Sequence, residues 1–216
     1  MALTVLLLDI DGTLVDNTQQ HIAAWDEALK QLGKSLDRET LRRNIGKGGD
    51  LFVKAVAGEG WDREHGDQAR DRHGKAYKKR MNEVRPVSGA VEFLQGVRDL
   101  KIRPVLASSS NPDEVKANLA VLGDTPGDFL IVDKDDIQTS KPAPDVFAVA
   151  LERSGAAANR AAAVGDTRWD GEAANKIGVT FYGVLVGAGT REELDEGGAA
   201  QVFGELPSLL AFLMRR

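Results

Sequence analysis

The sequence predicts an α/β fold: a Rossmann-like parallel sheet with helices on both faces, plus an all-helical cap domain inserted after the first strand. Short apolar segments bounded by turn residues recur along the chain, and helical patterns separate them. Such alternation produces a parallel sheet covered on both faces. Residues 16–85 interrupt it with helical patterns alone. We therefore expect a core domain made of 1–15 and 86–216 and a cap domain of 16–85.

Six segments have the length and apolar character of buried strands. They lie near residues 4–9, 102–107, 128–132, 161–165, 179–184 and 200–203. In a parallel α/β sheet, ligands bind beyond the carboxyl ends of the strands. Polar residues that directly follow these segments are therefore the candidates for a functional site.

Two helices of the core have clear boundary signals. Ser88 is typical of an N-cap, and the helix after it would bury Val91, Leu94 and Val97. Asn111 and Pro112 indicate a second helix start, because a cap residue precedes a proline at the first helical position. Gly123 has the position of a C-terminal glycine for that helix.

The predicted cap contains four helical patterns, near residues 18–32, 38–44, 49–57 and 62–82. The first carries an apolar stripe at helical spacing, formed by Ile22, Trp25, Leu29 and Leu32. A loop at 45–49 contains three glycines and Lys47. The joints between cap and core are expected near 15–18 and 84–88.

Composition limits the classes of function. The 216 residues carry a net charge of -5 and no cysteine, with 28% charged and 42% hydrophobic residues. This charge argues against a nucleic-acid partner, and the lack of cysteine excludes a thiolate nucleophile and suits a cytoplasmic protein. The apolar N-terminus lacks the basic region of a signal peptide, and the apolar run at 209–214 is too short to cross a bilayer. We therefore expect no membrane partner.

Carboxylates follow two of the predicted strands. Asp9 and Asp11 are two residues apart, so they point to one side of a strand, and Gly12 permits a sharp turn. Turns and calcium loops share this string, but no glutamate closes a calcium loop at the required spacing. Asp166 and Asp170 follow the strand at 161–165 and fall at the start of a helix, where they would also serve as caps. Hard oxygen ligands of this kind favour Mg²⁺.

A lysine and a run of serines complete the candidate site. Lys141 precedes two prolines that stiffen its backbone, and its ammonium would offset nearby carboxylates and hold a phosphate oxygen. Ser108 and Ser109 follow the strand at 102–107, where hydroxyls and amides suit an oxyanion. Taken alone, each feature also fits a solvated lysine or an ordinary helix cap.

In chain order, the first strand end with Asp9 and Asp11, then Ser108, then Lys141, and last Asp166 with Asp170 resemble the four motifs of the haloacid dehalogenase-like superfamily. The position of the cap resembles the phosphoglycolate phosphatase and β-phosphoglucomutase branch of that superfamily. The resemblance implies that Asp9 attacks phosphorus and forms an aspartyl-phosphate. It implies that Asp11 protonates the leaving alcohol and then activates water. Mg²⁺ would be held by Asp9, the backbone carbonyl of Asp11 and Asp166, with Asp170 acting directly or through water. Gly12, Ser108, Ser109 and Lys141 would bind the phosphoryl group.

The predicted function is Mg²⁺-dependent hydrolysis of a small phosphate monoester by a monomer or homodimer. A phosphosugar mutase is the alternative, because His21 matches a cap histidine of β-phosphoglucomutase and Lys79 could match its cap lysine. A non-catalytic binding or regulatory protein is a more distant alternative. We also hypothesise that Lys47 reaches the cleft and binds the non-reacting end of the substrate.

Overall fold

The strands of the computed structural model, which describes residues 2–123 and 129–215, match the six predicted from the sequence. A two-residue antiparallel pair adds to them. Asp128, where the third predicted strand begins, lies outside the described residues. In that part of the chain the strands are β1 (Val5–Leu8), β2 (Val15–Asp16), β3 (Arg85–Pro86), β4 (Arg103–Ala107), β5 (Leu130–Val132), β6 (Ala161–Gly165), β7 (Thr180–Val184) and β8 (Gln201–Phe203).

Helices fill the intervals between these strands. Within the described ranges they are α1 (Thr18–Lys30), α2 (Arg38–Asn44), α3 (Gly49–Ala57), α4 (Glu59–Lys78), α5 (Ala90–Asp99), α6 (Pro112–Ala120), α7 (Asp145–Ser154), α8 (Arg168–Lys176), α9 (Arg191–Glu196) and α10 (Leu206–Leu213). Three short 3₁₀ turns, Met81–Glu83, Lys134–Asp136 and Ala158–Arg160, supplement them.

One parallel sheet has the strand order β5-β4-β1-β6-β7-β8 and forms the centre of the core. Alternate residues of β1 point to opposite faces, as the period of a strand requires. Leu6 and Leu8 pack on the face covered by α5 and α10, and Val5 and Leu7 pack on the face covered by α7 and α8. Helices therefore cover both faces, which confirms the predicted fold class.

Helices α1 to α4 form the cap around an apolar cluster of their own. Trp25 and Phe52 stack at its centre with ring centroids 4.3 Å apart. The strands β2 and β3 pair where the chain leaves and re-enters the core, with Val15 opposite Pro86 and Asp16 opposite Arg85. Because this pairing brings both connections together, it supports the boundaries at 15/16 and 85/86, which we retain as our proposal for the domain division.

Several predicted boundaries shift by a few residues. Ser88 is not the N-cap of α5. Gly89 occupies that position with φ of 78°, a backbone that glycine adopts without strain, and its carbonyl accepts from the N–H of Phe93. Helix α4 begins at Glu59 rather than at 62 and ends before a 3₁₀ turn. Gly123 has φ of 69° just beyond α6, as predicted for a glycine after a helix.

Candidate active site

The predicted site residues of the core meet at the carboxyl edge of the sheet. Asp9 and Asp11 follow β1, Ser108 follows β4 and Asp166 follows β6. Strand β1 pairs in parallel with both β4 and β6, so that Leu8 lies opposite Leu106 and Val164. This register places the residues after each strand side by side.

Three buried carboxylates form the floor of the site. Asp9, Asp166 and Asp170 are each at most 6% exposed, and each contributes an oxygen to a group whose members lie within 4.8 Å of one another. The Nζ of Lys141 lies 2.5 Å from Asp9 Oδ1 and 2.7 Å from Asp170 Oδ1. One ammonium thus faces three carboxylates, which leaves two negative charges in excess when all are ionised.

Thr13 joins the two ends of this cluster and was not predicted from the sequence. Its hydroxyl lies 3.0 Å from Asp9 Oδ2 and 3.1 Å from Asp166 Oδ1. The backbone N–H of Ala188 donates to Asp166 Oδ2 at 2.7 Å. Thr13 lies two residues beyond Asp11 in the turn after β1. This spacing was the signal by which the sequence could have indicated it as a site residue.

Burial and mutual repulsion control protonation in the cluster. Burial, with repulsion from Asp170, raises the pKa of Asp166 to about 7. Burial also raises the pKa of Asp9, although the ammonium of Lys141 opposes that rise. Burial would lower the pKa of Lys141, but attraction to Asp170 and Asp9 outweighs it and keeps the lysine charged.

Asp170 caps a helix, as its position predicts, and it also contacts Lys141. Its Oδ2 accepts from the N–H of Thr167 at 3.0 Å and from the Thr167 hydroxyl at 2.6 Å, which caps the start of α8. Its Oδ1 faces Lys141. Because both oxygens are engaged, Asp170 is better placed to orient Lys141 than to coordinate an ion alone.

The carboxylate of Asp11 turns away from this cluster. Its Oδ2 accepts from the hydroxyls of Ser108 and Ser110 at 2.8 and 3.0 Å, and its Oδ1 accepts from Asn17 and Asn118 at 2.7 and 2.6 Å. Burial would raise the pKa of Asp11, but the nearby ring of His21 and hydrogen bonds from Asn17 and Ser108 outweigh it and hold the pKa below its usual range.

The predicted phosphate-binding residues separate into two groups. Ser108 is fully buried, and its hydroxyl donates to Asp11. Ser109 lines the cleft, and its Oγ accepts a hydrogen bond from the backbone N–H of Lys141 at 3.5 Å. Gly12 has φ of 80°, and its N–H donates to Asn17 Oδ1 at 3.0 Å. The turn at Gly12 therefore requires the backbone freedom of glycine.

The predicted cap residues lie at different depths. His21 is buried under Tyr77, with ring centroids 4.0 Å apart, and its Nε2 lies 3.6 Å from Asp11 Oδ1. Lys47 lines the cleft, donates to Asn44 at 2.8 Å and lies 4.0 Å from the Trp169 ring centroid. Lys79 is 70% exposed and pairs with Glu27. Lys79 is thus absent from the cleft lining, and its position does not support the proposed match to a mutase lysine.

A cleft of about 520 Å³ lies between cap and core, with Asp9, Asp11 and Lys141 at its base. Contacts across it join the two parts. Arg42 on α2 pairs with Glu193 on α9 at 2.8 Å. Asp50 Oδ2 at the start of α3 accepts from the N–H of Ser140 at 3.2 Å.

Within the described ranges, no helix combines the length and apolar character of a membrane span.

Sequence and structure comparisons place this geometry in a known family. The sequence profile of haloacid dehalogenase-like hydrolases matches residues 6–184. The chain belongs to the haloacid dehalogenase-like hydrolases. This confirms the family resemblance of the four motifs.

Proteins with similar sequences or structures indicate a branch within this family. A phosphoglycolate phosphatase of Pseudomonas syringae pv. syringae is 26% identical over 215 residues, covering 95% of this chain and 78% of that protein. One from Neisseria gonorrhoeae is 28% identical over 210 residues, covering 93% and 89%. A crystal structure of a hydrolase from Pseudomonas syringae has a TM-score of 0.93 at 32% identity and covers 98% of each chain. A provisionally named β-phosphoglucomutase from Bacteroides vulgatus has a TM-score of 0.81 at 24% identity, covering 97% and 87%.

These similarities place the chain in the phosphoglycolate phosphatase and β-phosphoglucomutase branch and make it a hydrolase of the phosphatase type. The predicted enzyme class is confirmed. The roles of individual site residues stay predictions that rest on the geometry above.

Proposed function

We propose that this protein hydrolyses a small phosphate monoester with Mg²⁺ and through an aspartyl-phosphate on Asp9. The observation that carries the proposal is the contact of Asp9 with Lys141 at the base of the cleft, inside a cluster of three buried carboxylates. Nucleophile, cation and metal ligands are thereby in one place. The names of the phosphoglycolate phosphatases support the reaction class, and phosphoglycolate is one candidate substrate.

The residues of the cluster fit a divalent cation. All are hard oxygen ligands, as Mg²⁺ prefers, and their excess charge matches that of the ion. Space beside Asp166 depends on glycine, because a Cβ on Gly12 would lie 2.6 Å from Asp166 Oδ2 and one on Gly187 would be closer. Asp9 and Asp166 would hold the ion with the backbone carbonyl of Asp11. When bound, Mg²⁺ supplies positive charge that lowers the repulsion between Asp9 and an anionic phosphate.

The chain's own groups divide the work of the two half-reactions. Asp9 uses a carboxylate oxygen to attack phosphorus, while Lys141 keeps that carboxylate ionised and holds a phosphoryl oxygen. Asp170 fixes the ammonium of Lys141, and Ser109 offers a hydroxyl to the phosphoryl group. The cap supplies part of the lining of the cleft, which limits the access of water to the reacting groups.

Asp11 supplies and recovers the proton. In the first step its carboxyl gives a proton to the leaving alkoxide. In the second step its carboxylate takes one from the water that attacks the aspartyl-phosphate. The lowered pKa of Asp11 supports the ionised form that the second step requires. A phosphoryl dianion in the cleft raises the pKa of Asp11 through like-charge repulsion, so substrate binding favours the protonated form.

The test is a screen of the purified protein against a panel of phosphate monoesters, with and without Mg²⁺. We expect Mg²⁺-dependent release of inorganic phosphate that EDTA abolishes and that Asp9→Asn eliminates. Activity that persists with EDTA and in Asp9→Asn would refute the aspartyl-phosphate route. Conversion of a sugar phosphate to its isomer without net phosphate release would favour the mutase alternative, for which the position of His21 is the supporting observation.

Three further points remain parts of this proposal: the substrate is a small phosphate ester, the location is cytoplasmic, and the protein is a monomer or homodimer. The lack of cysteine supports the location. The hydrolase family and the presence of both Asp9 and Asp11 argue against the non-catalytic alternative.

A further inference from the structure

Asp11 belongs to a closed ring of hydrogen bonds that joins the cap to the core. Asn17, at the joint between them, donates from Nδ2 to Asp11 Oδ1 at 2.7 Å and to the Tyr77 hydroxyl at 2.8 Å. Tyr77 on α4 donates to Asn118 Oδ1 at 2.7 Å. Asn118 on α6 closes the ring by donating from Nδ2 to Asp11 Oδ1 at 2.6 Å.

The chemistry of the groups fixes the direction of every bond in this ring. An ionised carboxylate only accepts, so both amides must present their NH₂ groups to Asp11. The oxygen of Asn17 is held by the N–H of Gly12, and the oxygen of Asn118 is held by Tyr77. Neither amide can turn over without breaking a buried hydrogen bond, which is costly in the interior.

The two oxygens of Asp11 therefore meet different partners. Oδ1 faces amide NH₂ groups, which cannot accept a hydrogen bond, and His21 Nε2 lies 3.6 Å from it, beyond hydrogen-bond distance. Oδ2 faces the hydroxyls of Ser108 and Ser110, which can rotate from donating to accepting. A proton on Oδ1 would point at two amide N–H donors. A proton on Oδ2 can be donated to the hydroxyl oxygen of Ser108 or Ser110.

We propose that Tyr77 and Asn118 are positioning residues that hold Asp11 so that Oδ2 carries the exchanged proton, an inference that rests on the proposed phosphatase function. When Asp9 attacks phosphorus, the bond from phosphorus to the leaving oxygen breaks, and the proton on Oδ2 passes to that oxygen. In the second step water attacks phosphorus, its proton passes to Oδ2, and inorganic phosphate leaves Asp9. Neither Tyr77 nor Asn118 touches the reacting atoms.

Both residues lie outside the four motifs and on different parts of the molecule. Tyr77 is 1% exposed and belongs to the cap, and Asn118 is fully buried and belongs to the core. A buried asparagine inside a helix is uncommon without a partner to satisfy it. The ring thus makes the orientation of Asp11 depend on how the cap sits on the core.

The test compares Tyr77→Phe with Tyr182→Phe, which removes the hydroxyl of the other tyrosine in the chain. Tyr182 lies on β7 among Phe203 and Phe212, in the apolar core. Activity is measured with Mg²⁺ on β-glycerophosphate, whose alkoxide needs a proton to leave, and on p-nitrophenyl phosphate, whose phenolate hardly does. Thermal unfolding confirms that each variant is folded.

We expect Tyr77→Phe to lower kcat on β-glycerophosphate about tenfold, a part of the 10²–10⁴-fold contribution of a positioned acid. We expect kcat on p-nitrophenyl phosphate to change less than about twofold and KM to stay constant on both esters. Asn118→Leu should show the same selectivity with a larger loss. Tyr182→Phe should keep the wild-type ratio of kcat values on the two esters, because Tyr182 lies on β7, away from Asp11.

Equal losses on both esters would show that Tyr77 only supports packing, and no loss on β-glycerophosphate would show that the ring does not position Asp11. Either result overturns the inference while wild-type turnover upholds the phosphatase function. Absence of turnover by the wild-type protein on both esters would overturn the proposed function and this inference with it.

Discussion

Asp9 and Asp11 are separated by one residue, yet they are neutralised in different ways. Asp9 lies among other carboxylates and is balanced by the ammonium of Lys141 at 2.5 Å. Asp11 has hydroxyl donors on one oxygen and amide donors on the other, together with the nearby ring of His21. Burial and neighbouring acids raise the pKa of Asp9, whereas hydrogen bonds lower that of Asp11.

The difference shows how one strand end can supply two chemistries. A carboxylate balanced by an ammonium is kept ionised and can attack phosphorus, which suits a nucleophile. A carboxylate held by directional donors keeps its orientation and exchanges a proton, which suits an acid and base. The ion-pair side of the site is built from the core alone, and the hydrogen-bonded side includes the cap.

The largest expected effect is on the ion-pair side. Asp9→Asn removes the nucleophile, and we expect turnover to fall on the order of 10⁴-fold or more on every ester. The variant should remain folded without metal, because it removes one of three repelling carboxylates while Lys141 keeps Asp170 as its partner. Steady-state kinetics and thermal unfolding check the two parts. Wild-type turnover in the variant would assign the nucleophile elsewhere.

A smaller and selective effect is expected on the hydrogen-bonded side. Asp11→Asn should slow hydrolysis of alkyl phosphates by roughly 10²–10⁴-fold, the usual contribution of a positioned acid and base. The loss on p-nitrophenyl phosphate should be smaller, because its leaving group hardly needs a proton. The ratio of kcat values on the two esters is the measurement, and an unchanged ratio would remove Asp11 from the acid role.

The same contrast explains what the sequence could predict. Asp9 and Asp166 follow neighbouring strands, so strand order alone brings them together, and Lys141 lies on the proline-containing segment before α7. The partners of Asp11 lie within helices, at Tyr77 and Asn118, where nothing in the local pattern marks a buried polar contact. Their meeting depends on how α4 packs against α6, which only the folded chain defines.

Protonation of the cluster gives a third test. The pKa of Asp166 is about 7 in the folded protein, against about 3.9 in an unfolded chain. Between these values the native state holds a proton that the unfolded state has released, so the free energy of unfolding decreases as pH rises. Without metal, the contribution of Asp166 should therefore make the Tm lower at about pH 8 than at about pH 5.5.

Mg²⁺ should reverse part of that decrease, because it competes with the proton for the same carboxylates. The increase in Tm on adding Mg²⁺ should be larger at about pH 8 than at about pH 5.5. Asp166→Asn is the matched control and should lose the Mg²⁺ effect together with the part of the pH difference that Asp166 contributes. An equal Mg²⁺ effect at both pH values would contradict binding at this cluster.

The smallest expected effect concerns Lys47, at the cap edge of the cleft. Its ammonium is half-buried, donates to Asn44 and lies over Trp169, and burial lowers its pKa. If Lys47 binds the non-reacting end of the substrate, Lys47→Ala should raise KM by up to about tenfold for the best ester of the panel. KM for p-nitrophenyl phosphate should change less, because that ester lacks the remote group.

Lys79→Ala is the matched control, since it removes a lysine charge from the cap at an exposed position outside the cleft lining. Lys47 also joins cap to core through Trp169, and loss of that contact alone would raise KM for both esters alike. A selective rise identifies Lys47 as a specificity residue, and an equal rise identifies it as a contact that keeps the cap closed. Unchanged kcat and KM across the whole panel would place substrate selection elsewhere in the cap.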